Sequence, residues 1–500
     1  MKLHIIVDSM IRIKYPPEFQ AWGWSGLLRD LERDMVIPNP AYAEALRRRG
    51  NAWSIPKTLE LWNRSPGQIS LPRGYGRQLV QLLRQHCVPW QREDRRVQLE
   101  SVDFGSRIRL RNYQAPAVER MVEATGGVLE APAGCGKTQM GLEIISRLEQ
   151  PALWITHTKD LAAQVRARAV EVLNLDATEI GLIGAGQRNV GPRLTIGIIQ
   201  SLSKMDLRSI ADRFGTVLLD ECHHSPAETW IGVLNQIPAR YRYGVTATLS
   251  RQDGLEIITE RALGPTIYSI NRTQISLEGG LITPQLFKVD TGAESEAWKQ
   301  HENKVEKHKI KAQKLEAKGK KAPRTPVINF GELISDVLAN EARNRLIAET
   351  VAENAVGHFS LVLSARIEHC EVLQALLADI APELRTKVIH GNTKAEHRSE
   401  HLAAMAAGDL DVLLAVKIAE EGLDLPRLDR LHLVAGGRDP KQVEQKVGRI
   451  QRPAPGKVDA VVFDYVDEKI PPFRGQYYAR RKVYRELGML ELRGQQSAGM

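Results

Sequence analysis

The sequence predicts an α/β protein with two tandem parallel-sheet lobes behind a small N-terminal α/β unit. Three observations predict this. Short apolar runs alternate with stretches of helical period twice over, from about residue 106 to 285 and again from about 327 to 470. A lysine-rich stretch separates the two blocks. Ahead of them lie about a hundred residues of different composition, rich in tryptophan and proline turns. A chain of 500 residues is too long for one core and suits several units.

The first unit, residues 1–105, opens on Met1-Lys2-Leu3-His4-Ile5-Ile6-Val7-Asp8. That run is too short and too soon interrupted for a signal peptide and reads as a strand. The unit holds five of the eight tryptophans: Trp22, Trp24, Trp53, Trp62 and Trp90. Pro16-Pro17, Pro38-Asn39-Pro40 and Pro72-Arg73-Gly74 mark turns. Residues 76–87 are helical in pattern, with Leu79, Leu82 and Leu83 on one face. The tryptophans either fill a core or stack on nucleic-acid bases.

The first lobe spans 106–290, with strands expected at 127–129, 152–156, 194–199, 217–219 and 243–246. Residues 291–326 form a linker or arm. Lys299, Lys304, Lys307, Lys309, Lys311, Lys314, Lys318, Lys320 and Lys321 dominate it, so its composition fits an exposed helix or hairpin. The second lobe spans 327–475, with strands expected at 360–363, 387–389, 412–415, 430–434 and 460–463. A charged tail, 476–500, is helical in pattern and ends in Gly494-Gln495-Gln496-Ser497.

The formal net charge of +9 favours an anionic partner, nucleic acid first. The four cysteines, Cys87, Cys135, Cys222 and Cys370, lie far apart. This speaks against a disulfide framework and fits a reducing, cytoplasmic setting. No run approaches the eighteen or so apolar residues of a membrane span.

The stretch Glu130-Ala131-Pro132-Ala133-Gly134-Cys135-Gly136-Lys137-Thr138 follows an apolar strand and precedes a helical pattern. That is the setting of a phosphate-binding loop. Gly134 and Gly136 let successive N–H groups turn toward phosphate oxygens, and Ala133 and Cys135 complete the loop. The helix N-terminus adds its dipole. Lys137 is placed to reach the β- and γ-phosphates of ATP, and Thr138 to ligate Mg2+. About eighty residues on, the run Val217-Leu218-Leu219 ends in Asp220-Glu221-Cys222-His223-His224. Two carboxylates at the carboxyl end of a strand suit a Mg2+ ligand, Asp220, and a general base, Glu221. Cys222, His223 and His224 do not make a zinc site, because no second Cys/His cluster complements them.

These motifs resemble those of superfamily 2 helicases and translocases. Alanine commonly replaces the first loop glycine there, and Asp220-Glu221-Cys222-His223 matches the DExH signature. Leu110-Arg111-Asn112-Tyr113-Gln114 resembles the adenine-reading Q motif, with Arg111 and Gln114 as nucleotide contacts. Thr246-Ala247-Thr248 resembles the element coupling hydrolysis to domain movement, in which His223, Thr246, Thr248 and Gln445 take part. Glu421-Gly422-Leu423-Asp424 resembles motif V, with Gly422 and Asp424 near the nucleotide and Val416 where a threonine is common. Gln445-Lys446-Val447-Gly448-Arg449-Ile450-Gln451-Arg452 matches motif VI. Arg449 and Arg452, three apart, are expected on one helix face to grip phosphate. Arg251-Gln252-Asp253 resembles the Arg-Glu-Asp element of the XPB-like and phage UvsW-like branch. The set covers roughly residues 108 to 468 and implies two RecA-like lobes with ATP and Mg2+ as cofactors.

The resemblance also implies contacts to the nucleic-acid backbone. The candidates are Thr156 and Lys159, Gln200 and Ser201, Arg251 and Asp253, Ser364 and Arg366, and His390 and Gly391. The expected function is that of an ATP-dependent DNA helicase or translocase acting on duplex or branched DNA. The N-terminal unit is expected to recognise DNA structure. The alternatives are an RNA helicase, the motor subunit of a restriction nuclease, and an ATP-gated nucleic-acid clamp. No base-reading module is evident in the sequence.

Overall fold

The computed structural model describes residues 2–19, 21–47, 53–221, 227–247, 255–318, 321, 323–416, 425–435, 437 and 439–492. The chain divides into two units, Met1–Glu278 and Gly279–Met500.

At the start of the first unit, the strand Leu3–Val7 pairs antiparallel with Ile11–Lys14 and parallel with Trp90–Asp94. Gln68–Leu71 and Asn63–Ser65 extend this sheet to five strands. Side chains alternate along a strand, so Leu3, Ile5, Ile11, Ile13, Ile69 and Leu71 fall in a common core. The helices Trp24–Met35 and Gly76–Gln85 cover it. Leu27, Leu31 and Met35 at four-residue steps, with Leu79, Leu82 and Leu83, form their buried faces. Trp62 lies in this core, and Trp24 packs on Tyr15 and Phe19 at ring distances of 5.1 and 5.2 Å.

The rest of the unit is an eight-stranded sheet. Its order is Gln187–Arg188, Ile180–Gly184, Leu194–Ile198, Ala152–Thr156, Thr216–Asp220, Tyr241–Thr246, Gly126–Glu130 and Thr266–Ser269. Every pairing is parallel except that of the two-residue edge strand. Helices on both faces explain why the central strands read as unbroken apolar runs. The helix Lys137–Leu148 packs so closely that a Cβ on Gly141 would lie 2.6 Å from the Trp154 ring.

The second unit carries seven parallel strands, in the order Thr386–Ile389, Val412–Val416, Ser360–Ser364, Arg430–Leu433, Val461–Val466, Gln285–Asp290 and Leu490–Leu492. Two sequence expectations change here. Residues 285–290 were read as the end of the first lobe, yet they hydrogen-bond to Val461–Val466 along their whole length. Residues from 476 were read as a tail, yet the helix Pro471–Glu486 buries Tyr477, Val483 and Tyr484 against this sheet. Its Arg480 is fixed by a bidentate bond to buried Asp464, at 2.8 and 2.7 Å, and Tyr484 donates to the same carboxylate. The lysine-rich stretch forms the helix Glu296–Glu316, capped by Ser295 and without a buried residue. At its foot Trp298 packs on Leu333 and Val337.

Candidate active site and nucleic-acid interface

Three adjacent strand ends build the site in the first unit. The phosphate loop leaves Gly126–Glu130, the acids end Thr216–Asp220, and Tyr241–Thr246 runs between them with Asp220 opposite Val245 and Thr246 opposite Glu130. The Ala131 amide donates to the Thr246 carbonyl at 2.8 Å, tying the loop to the neighbouring strand. Gly134 and Gly136 have φ of 84° and 86°, the left-handed region that glycine enters freely. A Cβ on Gly136 would meet Gln114 Nε2 at 2.6 Å. Ala131 and Cys135 are buried, while Ala133, Lys137 and Thr138 are half-buried at the loop surface.

Lys137 Nζ lies 2.9 Å from Glu221 Oε1. Burial, the largest single cause, pulls the Lys137 ammonium down, but the Glu221 carboxylate together with Cys135 and Asp220 outweighs it, and the amine stands above its ordinary pKa. Asp220 is buried. Desolvation and the adjacent Glu221 charge push its carboxyl up to about 7, against the pull of Lys137 and His157. Glu221 itself has φ of 47°, an uncommon conformation for a residue with a Cβ, of the kind that collects at functional sites. Its Oε2 faces the Ala247 amide at 3.4 Å.

This arrangement fits a nucleotide with a divalent cation. Two left-handed glycines open a backbone concavity, and a lysine ammonium stands at its head. The buried Asp220 carboxylate and the half-buried Thr138 are hard oxygen ligands in kind. A dication next to Asp220 would relieve the desolvation that raises its pKa.

Gln114 is 2 % exposed. Its Oε1 accepts from the Arg111 amide at 2.9 Å and its Nε2 donates to the Cys135 carbonyl at 2.8 Å. The Tyr113 hydroxyl donates to the same carbonyl at 3.3 Å. The Q-motif glutamine thus braces the phosphate loop. Sequence reasoning missed Tyr113 as part of that brace, although it stood in the quoted motif.

The backbone-contact candidates divide by exposure. Lys159, Gln200, Arg366 and Gly391 are exposed, and Ser201 and His390 are half-buried. Thr156 is buried, and its hydroxyl finds no partner among the described residues. Ser364 is also buried, with Oγ bonded to His369 Nδ1 at 2.8 Å and accepting from the Arg366 amide at 3.3 Å. Its hydroxyl therefore orients the Arg366 loop. His390 Nδ1 accepts from the Asn392 amide at 3.3 Å. Thr246 is buried, and His223, Thr248, Arg251, Asp253, Gly422 and Asp424 lie outside the described residues.

In the second unit, the helix Pro440–Ile450 buries Val443, Val447 and Ile450 and leaves Gln445 and Arg449 half-buried. The expectation that Arg449 and Arg452 share a helix face is corrected, because the helix ends at Ile450. Pro453 follows Arg452, lacks a donor and disfavours helical geometry in the residue before it. The Gln451 carbonyl instead accepts from the Ile282 amide at 2.7 Å. Lys457, which no motif singled out, donates to the Arg452 carbonyl at 2.9 Å. Its only sequence signal was a lysine in a proline-rich turn five residues past Arg452.

A nucleotide loop and paired acids on one parallel sheet, with a second parallel sheet carrying an arginine helix, define a two-lobed, nucleotide-hydrolysing motor. Residues 107–251 match the family described as type III restriction enzyme, res subunit, and residues 341–454 match the helicase conserved C-terminal domain. The chain is 25 % identical over 363 residues to the DNA 3'-5' translocase XPB2 of Sulfurisphaera tokodaii, covering 69 % of this chain and 79 % of that one. It is 27 % identical over 370 residues to a probable helicase of Escherichia phage T5, covering 72 % of each. Among solved structures, S. cerevisiae Dbp5 bound to RNA and ADP BeF3 shares the fold with a TM-score of 0.53 at 14 % identity, covering 78 % of this chain and 90 % of that one. The chain belongs to the superfamily 2 helicases, in the XPB-like or phage UvsW-like branch. It is an ATP-dependent helicase or translocase, hence an ATP hydrolase of a family that uses a divalent metal. Among the described residues, no helix is long and apolar enough to cross a membrane.

Proposed function

We propose that the chain is a cytoplasmic DNA translocase or helicase that hydrolyses ATP with Mg2+ and grips the phosphodiester backbone. The observation that carries this reading is the ion pair of Lys137 and Glu221 at 2.9 Å beside buried Asp220. The pair holds the base and the phosphate cation in one place. Lys137 turns to phosphate oxygens, which frees Glu221 to orient the attacking water and take its proton. Thr138 and Asp220 would hold Mg2+, whose charge would offset that of the phosphates. Arg449 and Arg452 supply guanidinium charge where negative charge grows, with Arg452 as the arginine finger.

DNA as the track is supported by the likeness to the XPB2 DNA 3'-5' translocase and by the net charge of +9. Exposed Lys159, Gln200 and Arg366 are suited to backbone contact, which serves a motor that must pass over any sequence. The free thiols of Cys87 and Cys370 suit a reducing cytoplasm.

The test is the ATPase rate with single-stranded DNA, duplex DNA, forked DNA and RNA as separate activators. DNA should stimulate and RNA should not. Glu221→Gln should bind nucleotide while losing roughly 10²–10⁴ in turnover. Stimulation by RNA alone would move the track from DNA to RNA. Turnover near wild type in Glu221→Gln would remove Glu221 as the base.

A further inference from the structure

Lys457 lies in the turn after motif VI, between the helix Pro440–Ile450 and the strand Val461–Val466. Its Nζ donates to three backbone carbonyls: Leu428 at 2.6 Å, Arg452 at 2.9 Å and Pro426 at 3.1 Å. An ammonium has three protons and no acceptor, so this geometry saturates it. The turn itself is built for the purpose. Gly456 takes φ of 77°, and the Lys457 amide closes back on the Ala454 carbonyl at 3.1 Å. Pro453 and Pro455 limit the other conformations open to the segment.

The three acceptors are unlike one another in position. Pro426 and Leu428 stand just past the motif V residues, ahead of the strand Arg430–Leu433. Arg452 ends motif VI. One side chain therefore joins the exits of both motifs. The peptide before Arg452 is held as well, since the Gln451 carbonyl accepts from the Ile282 amide at 2.7 Å. Arg452 is thus anchored through two consecutive carbonyls although it lies beyond the helix.

Charge around the ammonium does not explain its place. Burial, the largest cause, acts with the repulsion of Arg452 and Arg430 against the attraction of Asp429 and Asp459, lowering its pKa to about 8. The acids have other partners. Asp429 accepts from the Phe359 amide and meets His358, and Asp459 meets Arg430. A half-buried lysine whose ammonium sits among carbonyls at such a cost holds backbone rather than balancing charge.

We propose that Lys457 is a positioning residue for ATP hydrolysis, a clasp that fixes the backbone of Arg452 and ties it to the segment leaving motif V. The inference rests on the reading of Arg452 as the arginine finger. A misplacement of about 1 Å in a catalytic group can cost roughly 10²-fold in rate. Loss of the clasp should therefore act on turnover and leave ground-state nucleotide binding nearly unchanged.

The experiment is a double-mutant cycle on the full-length chain, with single-turnover ATP hydrolysis in saturating duplex DNA as the readout. Fluorescent-nucleotide titration and circular dichroism are recorded on the same samples. Lys457→Met should reduce turnover by about 10- to 100-fold with nucleotide Kd within about threefold. In the Arg452→Ala background, the same change should alter turnover by less than about twofold, because the group it positions is gone. If Lys457→Met does not fold, Lys457→Gln, which keeps two donors without charge, goes through the same cycle. Equal losses in both backgrounds, or wild-type turnover in the single variant, overturn the clasp while leaving Arg452 in its role. Wild-type turnover in Arg452→Ala overturns the arginine finger and the clasp with it.

Discussion

Asp220 shows at the scale of one residue how the site trades stability for chemistry. Its carboxyl is buried beside Glu221, and desolvation raises its pKa from 3.8 to about 7. The folded chain therefore keeps this proton up to about pH 7, while the unfolded chain releases it near 3.8. Between those values the folded state binds more protons. The group favours folding most at acid pH, and that contribution is lost as pH rises through about 7. Asp220→Asn removes the buried charge and keeps the shape. Its thermal midpoint should exceed that of wild type by several degrees at pH 8, at roughly 2–4 °C per kcal/mol for a unit of this size, and by less at pH 5. It should also lose the Mg2+ dependence of nucleotide binding, the usual cost of stabilising an active site. Melting curves at the two pH values decide this, and a gain that is equal or larger at pH 5 would show that desolvation of the charge is not the cause.

At the scale of elements, the helix Glu296–Glu316 carries its own pattern. His301, Val305, His308, Ala312 and Leu315, at steps of four and three, are its half-buried seam, and His308 reaches the Pro323 carbonyl at 3.0 Å. Lys304, Lys307, Lys311 and Lys314 repeat the same steps beside it and are all exposed. They form a row with one ammonium per roughly 5 Å of helix rise, suited to a phosphate backbone. Replacing these four by glutamine should lower the slope of log affinity against log salt by about 3–4 for duplex DNA and leave DNA-free ATPase intact. Equal slopes would make the helix a spacer. The lysine content made an exposed arm legible, as a helix or a hairpin; the half-buried seam that marks it as a helix went unread. The strands of both sheets were legible for the opposite reason, as apolar runs buried on both faces. What escaped depended on distant partners. Residues 285–290 mix polar and apolar side chains, and nothing local says that they pair with 461–466. The helix holding Arg480 looked like a solvated tail because its buried ion pair with Asp464 is invisible until the fold brings them together. In the site, Lys137, Asp220 and Glu221 stood out by spacing, whereas the inward turns of Gln114, Thr156 and Ser364 depend on side-chain direction.

For the molecule as a whole, the N-terminal sheet is fastened to the nucleotide-binding sheet behind it. Arg73 donates to the carbonyls of Ala239 and Arg240, and buried Arg242 donates to those of Ser9, Leu234 and Ile237 at 3.1, 2.8 and 2.9 Å. Gln78 bonds Glu260 at 3.2 Å, and Arg261 lies over the Tyr75 ring at 4.8 Å. Removing residues 1–96 would therefore strip one acceptor, the Ser9 carbonyl, from buried Arg242 and take Arg73 from the Ala239 and Arg240 carbonyls, which destabilises the lobe, so truncation alone is a poor probe of what the unit does. The tryptophans offer a better one. Trp62 and Trp24 pack in the core, whereas Trp22 is 83 % and Trp53 97 % exposed. Base stacking on an aromatic ring contributes about 1–3 kcal/mol, which is roughly tenfold in affinity per contact. The prediction is that Trp22→Ala with Trp53→Ala keeps the wild-type melting curve and duplex-stimulated ATPase, because neither ring supports the core. The same variant should lose about tenfold or more in preference for forked over linear duplex DNA, measured by competition binding at one fixed salt concentration. An unchanged preference would assign structure selection to the motor lobes and leave the two exposed rings without a part in it.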